Sequence, residues 1–171
     1  MKFLIFLLIP INSIGQTKLD TVSILDGKVK ILAPKELSSM NDEMWNAKYP
    51  KQPRPTMVLS DEDGEVNLIA DMTQQPATEN QIAAFKDYQL QQLKTKRQDL
   101  NFLGDGVKTI NGKKVGYFKF LSQALDQKVF NHYFFTIVDG KILLFTFNCI
   151  EKLKSKWEST ADKIMASLLV R

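Results

Sequence analysis

A long hairpin in the second half of the chain limits what this sequence can fold into. Two apolar runs, VFNHYFFTIV and KILLFTFNCI, flank Asp139-Gly140. Asp-Gly favours a two-residue type I′ turn, in which both central residues need a positive φ. Asn111-Gly112 supplies the same signal between GDGVKTI and KKVGYFKF. We therefore predict that the segment from Val107 to Ile150 forms three long strands joined as a β-meander.

The register of this hairpin makes both of its faces apolar. The turn places Val138 opposite Lys141, and this pair sets every other pair along the two strands. One face then holds His132 and Thr136 among Phe130, Phe134, Val138, Leu143, Phe145, Phe147 and Cys149. The other holds Val129, Tyr133, Phe135, Ile137, Ile142, Leu144, Thr146 and Ile150. An antiparallel hairpin with one wet face alternates apolar and polar residues, so helices should cover this one on both sides.

Three segments can provide those helices. Thr78 and Gln81 form a capping box before a helix that ends near Lys96. Residues 153–169 carry a one-sided apolar stripe, and Ser38 or Ser39 can cap a short helix over residues 40–48. We expect the terminal helix on one face of the sheet, and the other two helices on the opposite face.

Two further hairpins precede the meander. Asp26-Gly27 favours a two-residue turn between strands at 21–25 and 28–32, and the turn at 61–64 joins strands at 56–60 and 65–71. The strand after Asn111-Gly112 alternates in polarity, so it should lie nearer a sheet edge. No repeat or flexible linker divides the chain. We predict a single α+β domain over residues 17–171, an antiparallel β-sheet meander packed between helices as an α/β/α sandwich.

Composition and charge describe an ordinary globular protein. The chain has 171 residues, of which 44% are hydrophobic and 25% charged, values typical of soluble domains. Its formal net charge is +4, and the charges are dispersed along the sequence. Nucleic-acid binding needs clustered cations on one face, so we expect no nucleic-acid partner.

The N-terminus is typical of an exported protein. Met1-Lys2 provides a positive charge, the short apolar run at 3–9 follows, and small residues stand at 13–15. This pattern predicts a secretory signal peptide over residues 1–16. The run is too short to span a bilayer, which takes about 20 residues, and no cysteine follows it for lipid attachment. We expect a periplasmic or secreted protein with no stable membrane span after cleavage.

His132 and Cys149 are the candidates for a ligand or reactive site. They are the single histidine and the single cysteine of the sequence, and the register makes them diagonal neighbours on one face. A Cys–His couple can activate a thiolate, but the surrounding phenylalanines favour a buried, unreactive pair. The acidic turn at 61–64 lacks calcium-loop spacing, and no other catalytic, metal or nucleotide motif occurs. We therefore predict no catalytic residue, metal or cofactor.

The order of elements is similar to that of a known family. An early strand ends at Pro34, a long amphipathic helix and the meander follow, and a closing helix ends in Ala166–Leu169. Together with the Asp139-Gly140-Lys141 turn and Asn111–Gly116, this order resembles the PsbP-like/DcrB-like α/β/α sandwich over Leu19 to Val170. The resemblance implies an exported or lumenal accessory protein without enzymatic activity. No binding residue can be transferred from the family to this chain. Family members often have a tryptophan soon after the early proline, whereas in this chain the tryptophan comes later, at Trp45.

The sequence leaves three classes of function open. The leading expectation is an exported, non-catalytic accessory protein of the bacterial envelope that acts through protein–protein interaction with an unknown envelope protein. A second is a binding protein for a small apolar ligand, which would occupy an aromatic-lined cleft between helix and sheet. A third is a cysteine-dependent enzyme. A flat apolar surface patch would favour the protein-binding function. A cavity beside the sheet would favour the small-ligand function, and an exposed Cys149 with a polar neighbour would favour the enzyme.

Overall fold

The computed structural model of the protein describes residues 17–50, 53–124 and 126–171. The predicted signal peptide at 1–16 lies outside the described residues. Within them the chain forms a seven-stranded sheet, a three-stranded sheet and three α-helices. The helices are α1 (Asp42–Lys48), α2 (Ile82–Lys96) and α3 (Lys154–Ala166). The strands are β1 (Leu19–Ile24), β2 (Val29–Pro34), β3 (Ser38–Ser39), β4 (Met57–Ser60), β5 (Val66–Pro76), β6 (Asn101–Ile110), β7 (Lys113–Gln123), β8 (Lys128–Val138), β9 (Lys141–Ile150) and β10 (Leu169–Val170).

The main sheet is antiparallel throughout, in the order β3-β4-β5-β9-β8-β7-β6. Its central pair, β8 and β9, has the predicted register: Val138 lies opposite Lys141, and His132 lies opposite Phe147. Positive φ values at Asn111, Gly112, Asp139 and Gly140 confirm both type I′ turns. β7 is next to the edge strand, as its alternating sequence predicted.

The meander has four strands, so the predicted count of three is wrong. Gly104, Asp105 and Gly106, which precede the predicted start of the meander at Val107, lie inside β6, and β6 pairs with β7 along its whole length. A β-bulge at Leu103 shifts the register between Phe102 and Gly104, and the extra residue keeps the strand continuous through a glycine-rich stretch.

Helices cover both faces of the sheet, as predicted. On the face that carries His132, the side chains of Trp157, Ala161 and Ile164 in α3 join the main core. On the opposite face, α2 contributes Ile82 and Leu90 to a second apolar cluster. α1 forms a third cluster, in which Trp45 packs with Met40 and Val58. The single α+β domain and its α/β/α layering are therefore confirmed.

The small sheet was not predicted as a separate layer. It has the order β1-β2-β10, and Val29, Ile31 and Ala33 of β2 pack into the main core beside α3. The predicted two-residue turn at Asp26-Gly27 is wrong. Ile24 pairs with Val29, so the loop contains four residues, and three of them have positive φ.

Two predicted helix boundaries are also wrong. Asn41 caps α1, since its Oδ1 accepts a hydrogen bond from the Met44 N–H at 2.8 Å, whereas Ser38 and Ser39 form β3. α3 ends at Ala166 rather than at Leu169, because Leu169-Val170 pairs with β2. The predicted capping box before α2 is confirmed: the Thr78 side chain accepts from the Gln81 N–H, and the Thr78 N–H donates to Gln81 Oε1 at 2.8 Å. One 3₁₀ turn precedes the α-helix. No helix in the three described ranges combines the length and apolar character that spanning a bilayer requires.

Candidate functional site

Cys149 lies in the core on the face covered by α3. Its side chain is fully buried and is opposite Phe130 in the β8–β9 ladder. Burial raises the pKa of the thiol to about 12, well above its ordinary value of 9.0. At neutral pH the sulfur is therefore protonated, and a protonated thiol is a poor nucleophile. An exposed Cys149 would have favoured a cysteine-dependent enzyme, and that condition is not met.

His132 shares this face and is also fully buried. Its ring packs edge-on against Phe134 and Tyr117, with centroid separations of 5.7 and 6.1 Å. Nδ1 lies 3.7 Å from Asp162 Oδ1, and among the described residues neither ring nitrogen has a hydrogen-bond partner. Burial, reinforced by the nearby Lys119 cation, lowers the pKa of His132 to about 4.

A carboxylate that the sequence did not single out lies beside His132. Asp162 of α3 accepts a hydrogen bond from Lys119 at 2.8 Å, so this ion pair joins α3 to β7. Asp162 raises the pKa of His132, opposing burial and Lys119, but the imidazole remains neutral at physiological pH. No cluster of three or more His, Cys, Asp or Glu side chains in the described part of the chain could hold a metal ion.

The opposite face of the sheet contains an open cleft of about 510 Å³. Ile69, Leu144 and Tyr133 belong to its sheet floor, and Trp45 and Tyr49 belong to the wall that α1 forms. We call it the aromatic cleft, and define it by Trp45, Tyr49, Pro53, Pro55, Ile69, Asp71, Tyr133, Leu144, Thr146 and Asn148. Its position between a helix and the sheet is the one expected for a ligand site.

The cleft exists because α1 and α2 cover different strands of this face. α1 packs over β4 and β5, where Trp45 meets Val58 and the half-buried Ile69. α2 packs over β6, β7 and the neighbouring part of β8. The part of β9 between the two helices is left partly uncovered, so Leu144 and Asn148 are half-buried rather than buried.

Aromatic packing supports the walls of the cleft. The rings of Trp45, on α1, and Tyr49, the residue that caps its C-terminus, have centroids 4.4 Å apart. Tyr133 stacks on Phe118 and Phe120, with centroids at 5.3 and 5.5 Å. Burial raises the pKa of both Tyr49 and Tyr133, so both phenols stay protonated at neutral pH and can donate hydrogen bonds.

Asp71 is the charged residue of the cleft. It follows Ile69 on the same face of β5 and lies opposite Leu144. No ion pair joins it to a cation within residues 17–50, 53–124 and 126–171. Asn148, further along the floor, accepts a hydrogen bond from Asn67 at 2.9 Å. The cleft therefore combines an apolar floor with one carboxylate and a few hydrogen-bonding groups.

A second concavity, of about 570 Å³, lies between β6 and α3. It contains Lys108, Asp162 and Lys163 but no aromatic side chain. Small-molecule sites are mainly apolar and aromatic, with a few polar groups that fix orientation. The aromatic cleft has this composition, so it is the better candidate.

The outer strand of the sheet offers a surface of another kind. β6 has ten residues and carries no strand on its outer side in the part of the chain that the structure describes. Leu103 and Val107 are each 39% exposed on it. We call this strand the β6 edge.

The Asn111-Gly112 turn determines which backbone groups of the β6 edge point outward. Ile110 and Lys113 flank this two-residue turn and form a hydrogen-bonded pair. Hydrogen-bonded and non-hydrogen-bonded pairs alternate along an antiparallel ladder. Asp105, Val107 and Thr109 therefore fall in non-hydrogen-bonded pairs with β7, and their N–H and C=O groups face away from the sheet.

Comparisons with known proteins identify the fold. No protein-family model matches the chain, and no curated protein is similar in sequence. Among solved structures, cyanobacterial PsbP (CyanoP) from Synechocystis is similar with a TM-score of 0.66 and 14% identity, over 96% of this chain and 99% of that one. LpqN of Mycobacterium tuberculosis, described as involved in cell envelope biogenesis, has a TM-score of 0.60 and 9% identity, over 91% and 92%. The Ran-binding protein Mog1p of Saccharomyces cerevisiae has a TM-score of 0.53 and 12% identity, over 91% and 96%. The PsbP-like fold predicted from the order of elements is thereby confirmed.

Proposed function

We propose that this chain is an exported, non-catalytic accessory protein of the bacterial envelope and that it acts by binding another protein. The observation that carries this proposal is the β6 edge. An outermost strand with outward backbone donors and acceptors can be extended by a strand from a partner, the mode of recognition called β-augmentation. Leu103 and Val107 add exposed apolar surface to that edge.

Three further points support the proposal. LpqN, which shares the fold, is described as involved in envelope biogenesis, and Mog1p is described as a Ran-binding protein. The sequence at 1–16 has the pattern of a secretory leader. Cys149 is buried and protonated, which argues against thiol catalysis.

A capture experiment with matched variants tests the proposal. The tagged protein, exported by its own leader, is recovered from envelope extract as wild type, Val107→Pro and Val107→Thr. Proline removes an outward N–H without breaking a bond to β7, and edge strands tolerate it. Threonine keeps the N–H and is also a good strand former. We expect one protein to be captured stoichiometrically by the wild type and by Val107→Thr, and to be lost with Val107→Pro.

Two results of this experiment would count against the proposal. Equal capture by all three forms would show that the β6 edge is not the binding surface. Recovery of a stoichiometric lipid or other small molecule, with no protein, would refute the protein-binding function itself. Thermal unfolding of the three purified forms serves as the control, because capture is informative only where Val107→Pro remains folded.

The aromatic cleft favours a second candidate function, the binding of a small apolar ligand. Its volume of about 510 Å³ falls within the range of roughly 300–1,000 Å³ typical of small-molecule sites. Native mass spectrometry of the protein purified from its own envelope tests this candidate. A ligand-sized mass adduct that disappears in Leu144→Glu would support it, since the glutamate places a charge on the cleft floor. An adduct-free spectrum from freshly prepared protein would contradict it.

A further inference from the structure

We propose that the aromatic cleft binds a small apolar ligand that carries a cationic ammonium group, and that the carboxylate of Asp71 faces this cation. The proposal rests on the second candidate function above and names the chemical class of its ligand. It follows from the charge of the cleft, from the nature of its walls and from the position of Asp71 beside the apolar floor.

The charge of the cleft favours a cation. Asp71 supplies its charge, and no described cation forms an ion pair with it. Arg54 stands between the two prolines of the wall, but its guanidinium donates to the Asp42 carboxylate and to the Met40 carbonyl. Among residues 17–50, 53–124 and 126–171, the cleft therefore presents the negative charge of Asp71 with no ion-pair partner.

Desolvation strengthens this preference. Asp71 is exposed, and Leu144 of the apolar floor is its direct cross-strand neighbour, so a ligand that covers Leu144 also removes part of the water around the carboxylate. A carboxylate that loses water without gaining a partner is penalised. A neutral ligand therefore binds at a cost, an anionic ligand is repelled, and a cationic ligand replaces the lost water with an ion pair.

The walls suit the same ligand. Trp45, Tyr49 and Tyr133 bring three aromatic rings to the cleft, and the π face of such rings attracts a cation within about 6 Å. The apolar part of the ligand can lie on Ile69 and Leu144. The protonated phenols and Asn148 add hydrogen-bonding groups.

Three probes of matched shape test the inference: 4-phenylbutylammonium, 4-phenylbutanol and 4-phenylbutyrate, which differ in charge at one end. Affinities are measured by calorimetry and by tryptophan fluorescence, to which Trp45 contributes, for the wild type, Asp71→Asn and Asp20→Asn. Asp20 lies on β1 in the small sheet and pairs with Lys35, so Asp20→Asn makes the same chemical change away from the cleft.

We expect the wild type to bind the ammonium probe at least about tenfold more tightly than the alcohol, a difference of about 1.4 kcal/mol, and to bind the carboxylate most weakly. Asp71→Asn should reduce the affinity for the ammonium probe to that for the alcohol, and Asp20→Asn should leave it unchanged. Added salt should weaken the ammonium complex and not the alcohol complex.

The outcomes separate the two proposals. If the alcohol or the carboxylate binds as tightly as the ammonium probe, the inference about charge is wrong while the cleft remains a ligand site. If Asp71→Asn binds the ammonium probe as the wild type does, Asp71 is not the recognition group. If none of the three probes binds at millimolar concentration, both the inference and the small-ligand function are refuted.

Discussion

The buried imidazole of His132 makes the stability of this protein depend on pH, and the size of the effect follows from its surroundings. Burial and Lys119 lower its pKa from 6.5 to about 4 in the folded protein. In the unfolded chain the imidazole is exposed to water, so its pKa returns to about 6.5. The folded state therefore binds the proton more weakly than the unfolded state does.

The sign of the effect is set by this difference. Above pH 6.5 the imidazole is mostly neutral in both states, so its titration does not lower the free energy of unfolding. As the pH falls below 6.5 the unfolded chain gains the proton first, so the free energy of unfolding decreases. One pKa unit corresponds to about 1.4 kcal/mol. The loss should reach about 2 kcal/mol at pH 5 and about 3 kcal/mol once the pH is below 4.

His132→Leu isolates this contribution, because leucine fills apolar space at the same position without titrating. Urea unfolding of wild type and variant, followed by tryptophan fluorescence at pH 7.5, 6 and 5, gives the free energy of unfolding at each pH. We expect the wild type to lose about 2 kcal/mol more than His132→Leu between pH 7.5 and pH 5. Ordinary carboxylates are still largely ionised at pH 5, so they add little to the difference.

The refuting result is an equal pH dependence of the two proteins. If both lose the same free energy between pH 7.5 and pH 5, His132 is not held neutral by its surroundings. Asp162→Asn provides an internal check below pH 5: removing the carboxylate that stabilises the imidazolium lowers the pKa of His132 further, so the loss of stability should continue to a lower pH than in the wild type.

Three other predictions follow from the core. Phe145 is fully buried, and its ring stacks on that of Phe134 with centroids 4.9 Å apart. Phe145→Ala should therefore lower the free energy of unfolding by about 3–5 kcal/mol in urea titrations. A loss smaller than that of the exposed control Tyr88→Ala would contradict the stacking. A Cβ at Gly116 would overlap the ring of Phe135, so Gly116→Ala should cost about 1–3 kcal/mol by the same assay, and an unchanged midpoint would contradict this close packing. Cys149 should react with iodoacetamide only in denaturant, because its thiol is buried and its pKa is raised. Mass spectrometry follows the labelling, and rapid labelling of the folded protein would restore the reactive-site hypothesis.

The layered architecture could be predicted because one local signal carried long-range information. The Asp139-Gly140 turn fixed the register of β8 and β9, and the register made both faces apolar, so helices had to cover both. The second sheet could not be predicted in this way. Its edge strand β10 has two residues, Leu169 and Val170. In the sequence they follow the apolar pattern of α3 without a break, although the helix ends before Ser167. Nothing local in the sequence distinguishes such a strand from another turn of helix.

The aromatic cleft could be predicted only as a class of site. The structure contains a cleft with aromatic side chains between a helix and the sheet, but which residues line it depends on the spacing of α1 and α2 over the strands. Trp45 and Tyr49, one turn apart, were a local signal for one wall. Asp71 gave no signal, because it looks like any exposed carboxylate at the end of a predicted strand; it is exposed in the structure too, and only the arrangement of α1 over β5 places it at the cleft. His132 and Cys149 attracted attention by residue type, and tertiary burial decides their chemistry instead.

The most direct test of the protein-binding proposal is hydrogen exchange at the β6 edge. Backbone amide exchange is measured for the protein alone and in the complex with the protein captured from the envelope. In the free protein, the amides of Gly106, Lys108 and Ile110 should exchange slowly, because they bond to β7, whereas those of Asp105, Val107 and Thr109 should exchange fast. In the complex, we predict that the amides of Asp105, Val107 and Thr109 become slow as well. Fast exchange at these three amides in the complex, with new protection elsewhere, would contradict strand addition at the β6 edge.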